Sequence, residues 1–519
     1  TTLSEGNLKS AQSNHSDTMA TFKIPETGKW YFECVATTAG GAQVGISKTS
    51  YQPSAGDWVA TTISLIFSNG NAGTGSGSAY IGSAIGNGNT VGVAIDSDNG
   101  KIYFAKNNTW GNSGNLANGT NPAATFTATD GWQPIVYGPN GTVQTFNFGQ
   151  KDFAYTPPSG FLTLSTANLP DPAIPLPGAQ FNTVLYTGNG AVDHDISGVG
   201  FQPDFTWIKG RSHAYSHALN DAVRGAGKFL FSDTTAAEAY NANQYFGPFQ
   251  SDGFRLNDQE VGTQVNGNNV TYVSWNWKAN GAGSTDTSGD IDATVSANQA
   301  AGFSVVNYVP NGTASATVPH GLGVVPEMVF YKRYNSSSSW FCWTTVIDGS
   351  DDYLSLNTNA VKENVSQAGG TSFTSSFIRA TNYANNSEAV AYCFASKPGF
   401  SKIGVYTGNG VADGPFVYTG FKPAWVMRKR VTGGNADWFI NGGKINPANA
   451  SVSGTGIANI SLWANNPSVD EAAGEIAYGL DLLSNGFKTT ASAHYLNDHN
   501  SIYLYMAFAE SPFKYANAR

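Results

Sequence analysis

Two groups of ionisable residues in the first half of the chain have types and spacings that could support chemistry. His213 and His217 are four residues apart in RSHAYSHALNDAVRG, which would place both rings on one face of a helix. A zinc site needs a third ligand, and a zinc protease also needs the glutamate of an HExxH motif. The sequence around this pair offers neither. We therefore predict no metal here and interpret the pair as loop-packing or surface residues.

The second group is the run Asp193-His194-Asp195, which could act as paired carboxylates or as part of a triad. No G-x-S-x-G elbow accompanies it, and the chain contains no P-loop and no dinucleotide fingerprint between a strand and a helix. Asp286, Asp290 and Asp292 could suggest calcium, but the bidentate glutamate that closes a calcium loop is missing. We predict no catalytic residues, no cofactor and therefore no enzyme.

A repeated pattern organises the chain beyond about residue 180. In each of three copies a tyrosine precedes a proline by 17 or 18 positions, and a lysine follows that proline by six. Such periodic self-similarity predicts an architecture of related units. The three sets are Tyr186, Pro203 and Lys209; Tyr308, Pro326 and Lys332; and Tyr406, Pro423 and Lys429.

Each copy closes with a strand pattern of period two: VSWNWKA (273–279), VAYCFAS (390–396) and LYMAFAE (504–510). A large residue at every second position indicates a strand with one buried face. Phe205, Trp207 and Lys209 likewise share one face of an earlier strand. We expect the repeated lysines to extend over aromatic neighbours at strand ends. Binding of an anionic sugar is the alternative.

The composition excludes several classes of protein. The chain has 519 residues, which predicts several domains, and only 12% are charged, against about 25% in average domains. Abundant glycine and 13% aromatics favour strands joined by turns. A net charge of -9 argues against nucleic acid as a partner. No apolar run reaches the roughly 20 residues of a membrane helix, so we predict no membrane insertion, and no signal peptide is recognised.

The three cysteines do not form a disulfide framework. Cys342 and Cys393 lie in the same repeat and could pair, but we favour buried thiols. The chain begins at Thr1 without methionine. Either the methionine is removed or an upstream segment precedes this residue.

Three segments of the first 165 residues resemble the SPRY family: GKWYFECVATTAGGAQVGIS (28–47), GNTVGVAIDSDNGKIYFAKNNTW (88–110) and TVQTFNFGQKDFAYTPPSGF (142–161). The resemblance implies a β-sandwich that serves recognition, has no catalytic centre and binds partners through loops at one end. The alternating segments VGVAID and KIYFAK, separated by Ser-Asp-Asn-Gly, independently predict a hairpin there.

The three repeats, with their ending LYMAFAESPF (504–513), resemble modules of bacteriophage tail and other virion proteins. This resemblance implies a location in the virion and contact with other virion proteins. It also implies a homo-oligomer, most simply a trimer, because virion appendages follow the symmetry of the tail or capsid.

We predict an all-β chain, with a SPRY-like (concanavalin-like) β-sandwich followed by three related β-sandwich modules. The expected boundaries are a sandwich at 1–165, a proline-rich linker at 166–179, repeat 1 at 180–279, a polar linker at 280–300, repeat 2 at 301–400 and repeat 3 at 401–519. The tight junction between repeats 2 and 3 predicts that these two pack together.

The expected function is a tail fibre or receptor-binding appendage that contacts a host surface glycan or protein. Alternatives are a head-decoration or neck fibre protein without a receptor, and a secreted glycan-degrading enzyme with binding modules. Loops on such scaffolds carry binding residues, and tryptophan and tyrosine suit sugar stacking. The candidate binding-loop residues are Trp58, Gly75, Trp110, His213, His217, Trp340 and Trp438.

Overall fold

The computed structural model describes residues 1–5, 7–13, 15–49, 61–75, 77–240, 246–257, 264–313, 315–364, 373–380, 387–411, 413–446, 460–472, 479–490 and 495–516. These residues form strands joined by turns and short 3-10 helices, which confirms the all-β prediction. They divide into an N-terminal unit, Thr1–Asp171, and a three-repeat unit, Pro172–Arg519. Within the described part of the chain, no helix is long and apolar enough to cross a membrane.

The N-terminal unit is a sandwich of two antiparallel sheets. The first sheet has the order β1-β2-β14-β4-β9-β10-β11, with β12 beside β10 and β15 beside β4; the second has the order β3-β13-β5-β6-β7-β8. The strands are β1 Thr2–Ser4, β2 Lys9–Ala11, β3 Ser16–Met19, β4 Lys29–Thr38, β5 Gln43–Lys48, β6 Thr62–Ile66, β7 Asn71–Gly73, β8 Ser78–Ala79, β9 Thr90–Asp96, β10 Lys101–Lys106, β11 Thr109–Trp110, β12 Ala124–Thr125, β13 Trp132–Gly138, β14 Val143–Asn147 and β15 Leu162–Thr163.

The predicted hairpin of this unit is confirmed as β9 and β10, which pair from Val91–Lys106 to Asp96–Lys101. Apolar side chains of both sheets, including Phe32, Val44 and Phe104, meet in one core. The sandwich therefore has its own hydrophobic core, as an independent domain requires.

In the three-repeat unit, each repeat contributes a large sheet and a small one. The strands of repeat 1 are β16 Phe181–Thr187, β17 His194–Ser197, β18 Phe205–Gly210, β19 Ala218–Asp221, β20 Lys228–Phe231, β21 Ala239–Tyr240, β22 Phe246–Gln250, β23 Gly253–Leu256 and β24 Thr271–Trp277. Its large sheet has the order β16-β24-β18-β19-β20-β21, and its small sheet the order β17-β23-β22.

Repeat 2 adds an extra hairpin to the same plan. Its strands are β25 Ser284–Asp286, β26 Ala293–Asn298, β27 Phe303–Tyr308, β28 Thr317–Pro319, β29 Met328–Arg333, β30 Phe341–Thr344, β31 Asp352–Ser355, β32 Glu363–Asn364, β33 Phe377–Arg379 and β34 Ala389–Phe394. The large sheet has the order β25-β26-β27-β34-β29-β30-β31-β32, and β28 pairs with β33.

Repeat 3 returns to the plan of repeat 1. Its strands are β35 Ser401–Thr407, β36 Phe416–Tyr418, β37 Phe421–Arg430, β38 Trp438–Gly442, β39 Ile460–Trp463, β40 Glu471–Ala472, β41 Leu480–Leu483, β42 Gly486–Thr489 and β43 Ile502–Pro512. The large sheet has the order β35-β43-β37-β38-β39-β40, and the small sheet the order β36-β42-β41.

The strand register confirms the repeat alignment predicted from sequence. Each repeated tyrosine pairs with a residue at the same position of its central strand, which is β24, β34 or β43. The pairs are Tyr186 with Tyr272, Tyr308 with Ala389 and Tyr406 with Tyr503. The repeated lysines pair with the residue that follows in each central strand: Lys209 with Val273, Lys332 with Val390 and Lys429 with Leu504. Tyrosine and lysine therefore hold equivalent positions in all three copies.

The central strands are buried on both faces, so the prediction of half-buried strands is wrong. On one face, alternate residues such as Val273, Trp275 and Trp277 enter a core common to all three repeats. On the other face, Tyr272 packs with residues of the small sheet, such as Phe254. The small sheets cover the faces that sequence periodicity alone would leave to solvent.

The three large sheets meet around one aromatic centre. Trp277, Phe394 and Phe508 occupy the equivalent position of the three central strands, and their ring centroids lie 6.4, 6.2 and 5.6 Å apart in cyclic order. The predicted contact of repeats 2 and 3 is thus confirmed, and repeat 1 closes the ring against both. Aromatic rings at such distances add to the burial of their apolar area.

The predicted polar linker at 280–300 is wrong, because this segment forms the hairpin β25–β26 on the edge of repeat 2. Its overlooked signal is the alternation Ile291, Ala293, Val295, whose side chains pack into the core of repeat 2. Part of the proline-rich segment is also structural, since Ile174 is buried in the common core.

Candidate functional site

Strand directions gather the variable segments of all three repeats at one end of the three-repeat unit, here called the loop end. β16 and β18 run antiparallel to β24, so both finish where β24 begins. The same holds for β27 and β29 against β34, and for β35 and β37 against β43. Residues 211–217, 334–340 and 431–437 connect to the next strand at this end.

The three repeated lysines lie at the loop end, but they are fully buried between repeats. Each ammonium donates to one carbonyl of its own repeat and to one of the neighbouring repeat. The contacts across repeats run cyclically, from Lys209 to Pro467 O at 2.9 Å, from Lys332 to Thr235 O at 3.1 Å and from Lys429 to Asn359 O at 3.0 Å. The lysines stand at strand ends, as expected, and Lys332 Nζ lies 5.8 Å from the centroid of the Trp340 ring. Because all three are buried between repeats, the alternative of an anionic sugar site is wrong.

Trp340 and Trp438 also donate hydrogen bonds from one repeat to another, and their side chains are buried, at 0% and 1% exposure. The Nε1 of Trp340 donates to Phe231 O at 2.8 Å, and that of Trp438 donates to Ser355 O at 3.0 Å. Each acceptor is the last residue of a strand of the preceding repeat. The expectation that these rings stack on sugar is wrong, because they fill the junctions between repeats.

His217 occupies the corresponding position of repeat 1, since extending the β18–β19 register by one residue places it opposite Lys209, as Trp438 stands opposite Lys429. It is buried and not on a helix, so the prediction that it shares a helical face with His213 is wrong. Trp207 Nε1 donates to His217 Nδ1 at 2.8 Å, which leaves the ring proton on Nε2. The carbonyls of Trp463 and Asn466 lie near that proton, although no bond of standard geometry forms.

At this junction, repeat 1 has the larger side chain on the first strand and the smaller one on the second, the reverse of repeats 2 and 3. It has Trp207 with His217, where repeat 2 has Phe330 with Trp340 and repeat 3 has Met427 with Trp438. We expect His217→Trp to overpack this site and lower the unfolding free energy by about 1–3 kcal/mol. Adding Trp207→Phe should restore much of the loss in urea unfolding. A double variant whose loss equals the sum of the two single losses would contradict this exchange.

Burial lowers the pKa of all three lysines, to about 8 for Lys209 and Lys332 and to about 7 for Lys429. The unfolded chain keeps the ordinary value of 10.5 and therefore binds more protons between these limits. The free energy of unfolding consequently rises with pH across this window. Below the folded-state pKa the buried lysine is charged, and its desolvation then lowers the free energy of unfolding by the full amount.

We therefore expect Lys429→Met to flatten this dependence. Between about pH 7.5 and about pH 9.5, the unfolding free energy of the unsubstituted chain should rise by roughly 1 kcal/mol per pH unit more than that of the variant. Chemical denaturation at both pH values measures the difference. Loss of the hydrogen bonds to Asn359 and Ala436 would lower the stability of the variant at every pH and would leave the slope unaffected.

The other candidate residues are dispersed. Trp58 lies outside the described residues. Gly75 is half-buried in a turn of the N-terminal unit with a φ of 62°, and Trp110 is half-buried against Tyr31 and Tyr103 of the same unit. His213 is exposed at the loop end, where its ring stacks on Tyr215. Gly75 and Trp110 thus belong to the N-terminal unit, and His213 belongs to the three-repeat unit.

The remaining polar motifs are structural. Arg255 holds Asp195 through two hydrogen bonds of 2.6 and 3.0 Å and also pairs with Asp193. These bonds lower the pKa of Asp195, which makes it a poor general base. All three cysteines are free and buried, as favoured above.

Sequence reasoning missed an asparagine that supports the T-G-N-G turn in repeats 1 and 3. Asn266 Oδ1 accepts from the backbone of Asn189, and its Nδ2 donates to Asn189 Oδ1 and Ala191 O. Asn497 makes the same three bonds in repeat 3. The available signal was an asparagine six residues before the tyrosine that begins the central strand pattern, Tyr272 or Tyr503.

Repeat 2 contains a cavity of about 550 Å³. The extra hairpin β25–β26 forms one wall, and the end of β27 with Tyr334 and Glu388 forms the other. The lining residues are Thr285, Asp290, Ile291, Asp292, Ala293, Thr294, Asn307, Tyr308, Val309, Asn311, Tyr334 and Glu388. Across the residues that the structure describes, no group of three or more histidine, cysteine or acidic side chains is placed to hold a metal ion.

Comparison with known families assigns both units. A family model described as a domain of unknown function, DUF7483, matches residues 176–512, which is most of the chain. The chain belongs to the DUF7483 family. A second model, the SPRY domain, matches residues 29–151, so the N-terminal unit is a SPRY domain with a concanavalin-like sandwich. The DUF7483 match covers all three repeats, and Ile174 of the common core lies just before it.

Among solved structures, the chain is similar to the SPRY domain of human HERC1, with 14% identity, 27% of this chain and 86% of that chain covered, and a TM-score of 0.22. A human SPRY domain structure shows 18% identity, 27% and 89% coverage, and the same TM-score. No curated protein matches the chain.

Proposed function

We propose that the chain is a structural and adhesive protein of a bacteriophage virion, a tail fibre or comparable appendage that contacts a host surface glycan or protein. The observation that carries this proposal is the position of four ionisable residues whose pKa values are lowered by burial. Lys209, Lys332, Lys429 and His217 are buried in contacts between repeats. Enzymes concentrate groups with displaced pKa values in accessible pockets, whereas these four lie in internal contacts of a scaffold.

The scaffold suits recognition because its variable segments are gathered at one end of a closed core. Rigid β-scaffolds commonly bind through such connections. The SPRY domain is a second recognition fold in the same chain. The virion context is inferred from the resemblance of the repeat motifs to phage modules, and the implied partners are other virion proteins and the host surface.

A homotrimer, expected from virion symmetry, remains part of this proposal. The three repeats bury their large apolar faces against one another within one chain. Trimerisation therefore has to use other surfaces. Light scattering at micromolar concentration would give three times the chain mass for a trimer, and a monomer would contradict this part of the proposal.

The function is tested by labelling and adsorption. Gold-labelled antibody against the chain should decorate the tail appendages of the phage, and the purified chain should bind host cells and compete with phage adsorption. Label on the capsid without cell binding would favour a head-decoration protein. Shortened host polysaccharide after incubation with the chain would favour a glycan-degrading enzyme.

A further inference from the structure

Two features of the cavity lining are specific to repeat 2. The hairpin β25–β26 is present only in repeat 2 among the described residues. Tyr334, two positions after the repeated lysine, corresponds to Arg211 in repeat 1 and Val431 in repeat 3. A ligand that uses this cavity therefore binds once per chain.

The polar groups of the lining can accept and donate hydrogen bonds. Asp292 and Glu388 are exposed, and their carboxylates form no ion pair within the described residues. Asp290 uses Oδ2 to accept from the backbone and hydroxyl of Thr317, at 3.0 and 2.8 Å, which leaves Oδ1 available. The carboxylates thus supply acceptors for hydroxyl or amine donors.

Asn307 supplies the complementary donor. The Tyr334 hydroxyl donates to Asn307 Oδ1 at 2.9 Å, which fixes the amide and leaves its NH₂ group for a ligand acceptor. Tyr334 is itself only 6% exposed and is held by its backbone bond to Glu388 O. The Asn307 amide donor is therefore held in position by a buried aromatic side chain, which limits the entropy lost on binding.

The charge of the lining decides between ligand classes. Asp290, Asp292 and Glu388 are acidic, and no lysine or arginine lines the cavity. Sulfated, phosphorylated or uronic saccharides would meet like charges there. The volume falls within the range of small-molecule sites, and the apolar side chains of Ile291 and Val309 give the cavity some non-polar wall.

We propose that this cavity binds a neutral or amine-bearing saccharide unit, through hydroxyls that donate to the carboxylates and an oxygen that accepts from Asn307. The mixture of fixed amide donor and carboxylate acceptors matches a sugar ring, whose hydroxyl groups both donate and accept. The ammonium groups of a basic peptide only donate and would use the carboxylates alone. This inference rests on the proposed function and names the class of receptor recognised.

The test uses the full chain and calorimetric titration with neutral hexoses, N-acetylhexosamines, hexosamines, a hexuronate and a trilysine peptide. We expect one neutral or amino sugar to bind with a stoichiometry of one per chain. The double variant Asp292→Asn with Glu388→Gln should weaken it at least tenfold. Asp286→Asn, whose carboxylate bonds Ser288 outside the cavity, is the matched control and should bind normally.

The inference is overturned if no sugar of the panel binds, if binding is unchanged in the double variant, or if trilysine alone binds with dependence on Asp292 and Glu388. Adsorption to host cells is measured on the same proteins. Host binding that survives the double variant refutes the cavity as the receptor site and leaves the adhesive function standing. Sugar binding at the cavity without host adsorption refutes the adhesive function and leaves the cavity assignment standing.

Discussion

Replacing Trp277 with alanine should lower the unfolding free energy of the three-repeat unit by about 3–5 kcal/mol. Trp277 is 2% exposed and contacts aromatic rings of both other repeats, including Phe394 and Phe508. Its loss leaves a cavity at the point where the three sheets meet, which neighbouring side chains can fill only in part. Urea unfolding monitored by far-UV circular dichroism measures the change.

The matched control for this prediction is Leu185→Ala. Leu185 lies on β16 of the same repeat, but it is 41% exposed, so its truncation should change stability by no more than about 0.5 kcal/mol. Equal losses for the two variants would mean that the aromatic centre is not the common core of the three repeats.

Removing repeat 3 should abolish cooperative folding of repeats 1 and 2. In a fragment of residues 172–400, Phe181 loses its stacking contact with Phe508 at 4.9 Å, and Lys209 loses its acceptor Pro467. The exposed aromatic face and the uncompensated buried lysine both disfavour the folded state. We expect no cooperative thermal transition and strong binding of a hydrophobic dye.

The fragment 1–171 serves as the control for this deletion. It contains the complete core of the SPRY domain and should unfold cooperatively on its own. A cooperative transition in the 172–400 fragment would instead show that the repeats are separate modules, as a chain of independent sandwiches would be.

Periodicity and turn chemistry were sufficient to predict the strands and the equivalence of the repeats. The alternation of Val273, Trp275 and Trp277 correctly indicated which side chains share a face. The sequence did not reveal what covers each face, because a period of two is the same whether the second face meets solvent or a small sheet. Polar Ser274 and Asn276 looked solvent-facing, yet both are buried.

The candidate site was harder to predict, because the same residue types serve binding and packing. Trp340 and Trp438 follow loop-like sequence, and only the cyclic arrangement of the repeats places them at buried junctions. The lysines were recognised as the repeated charge, but their acceptors in the neighbouring repeats lie 70 to 258 positions away. The cavity of repeat 2 depends on a hairpin whose alternation was mistaken for a polar linker.

Hydrogen exchange of the native chain tests the central claim, that the three repeats form one cooperative core, most directly. The amides of β24, β34 and β43 should exchange with one common free energy, because opening any central strand exposes the aromatic centre. In the Trp277→Ala variant, that free energy should fall by the same amount in all three strands. Loss of protection in β24 alone, with β34 and β43 unchanged, would contradict the account.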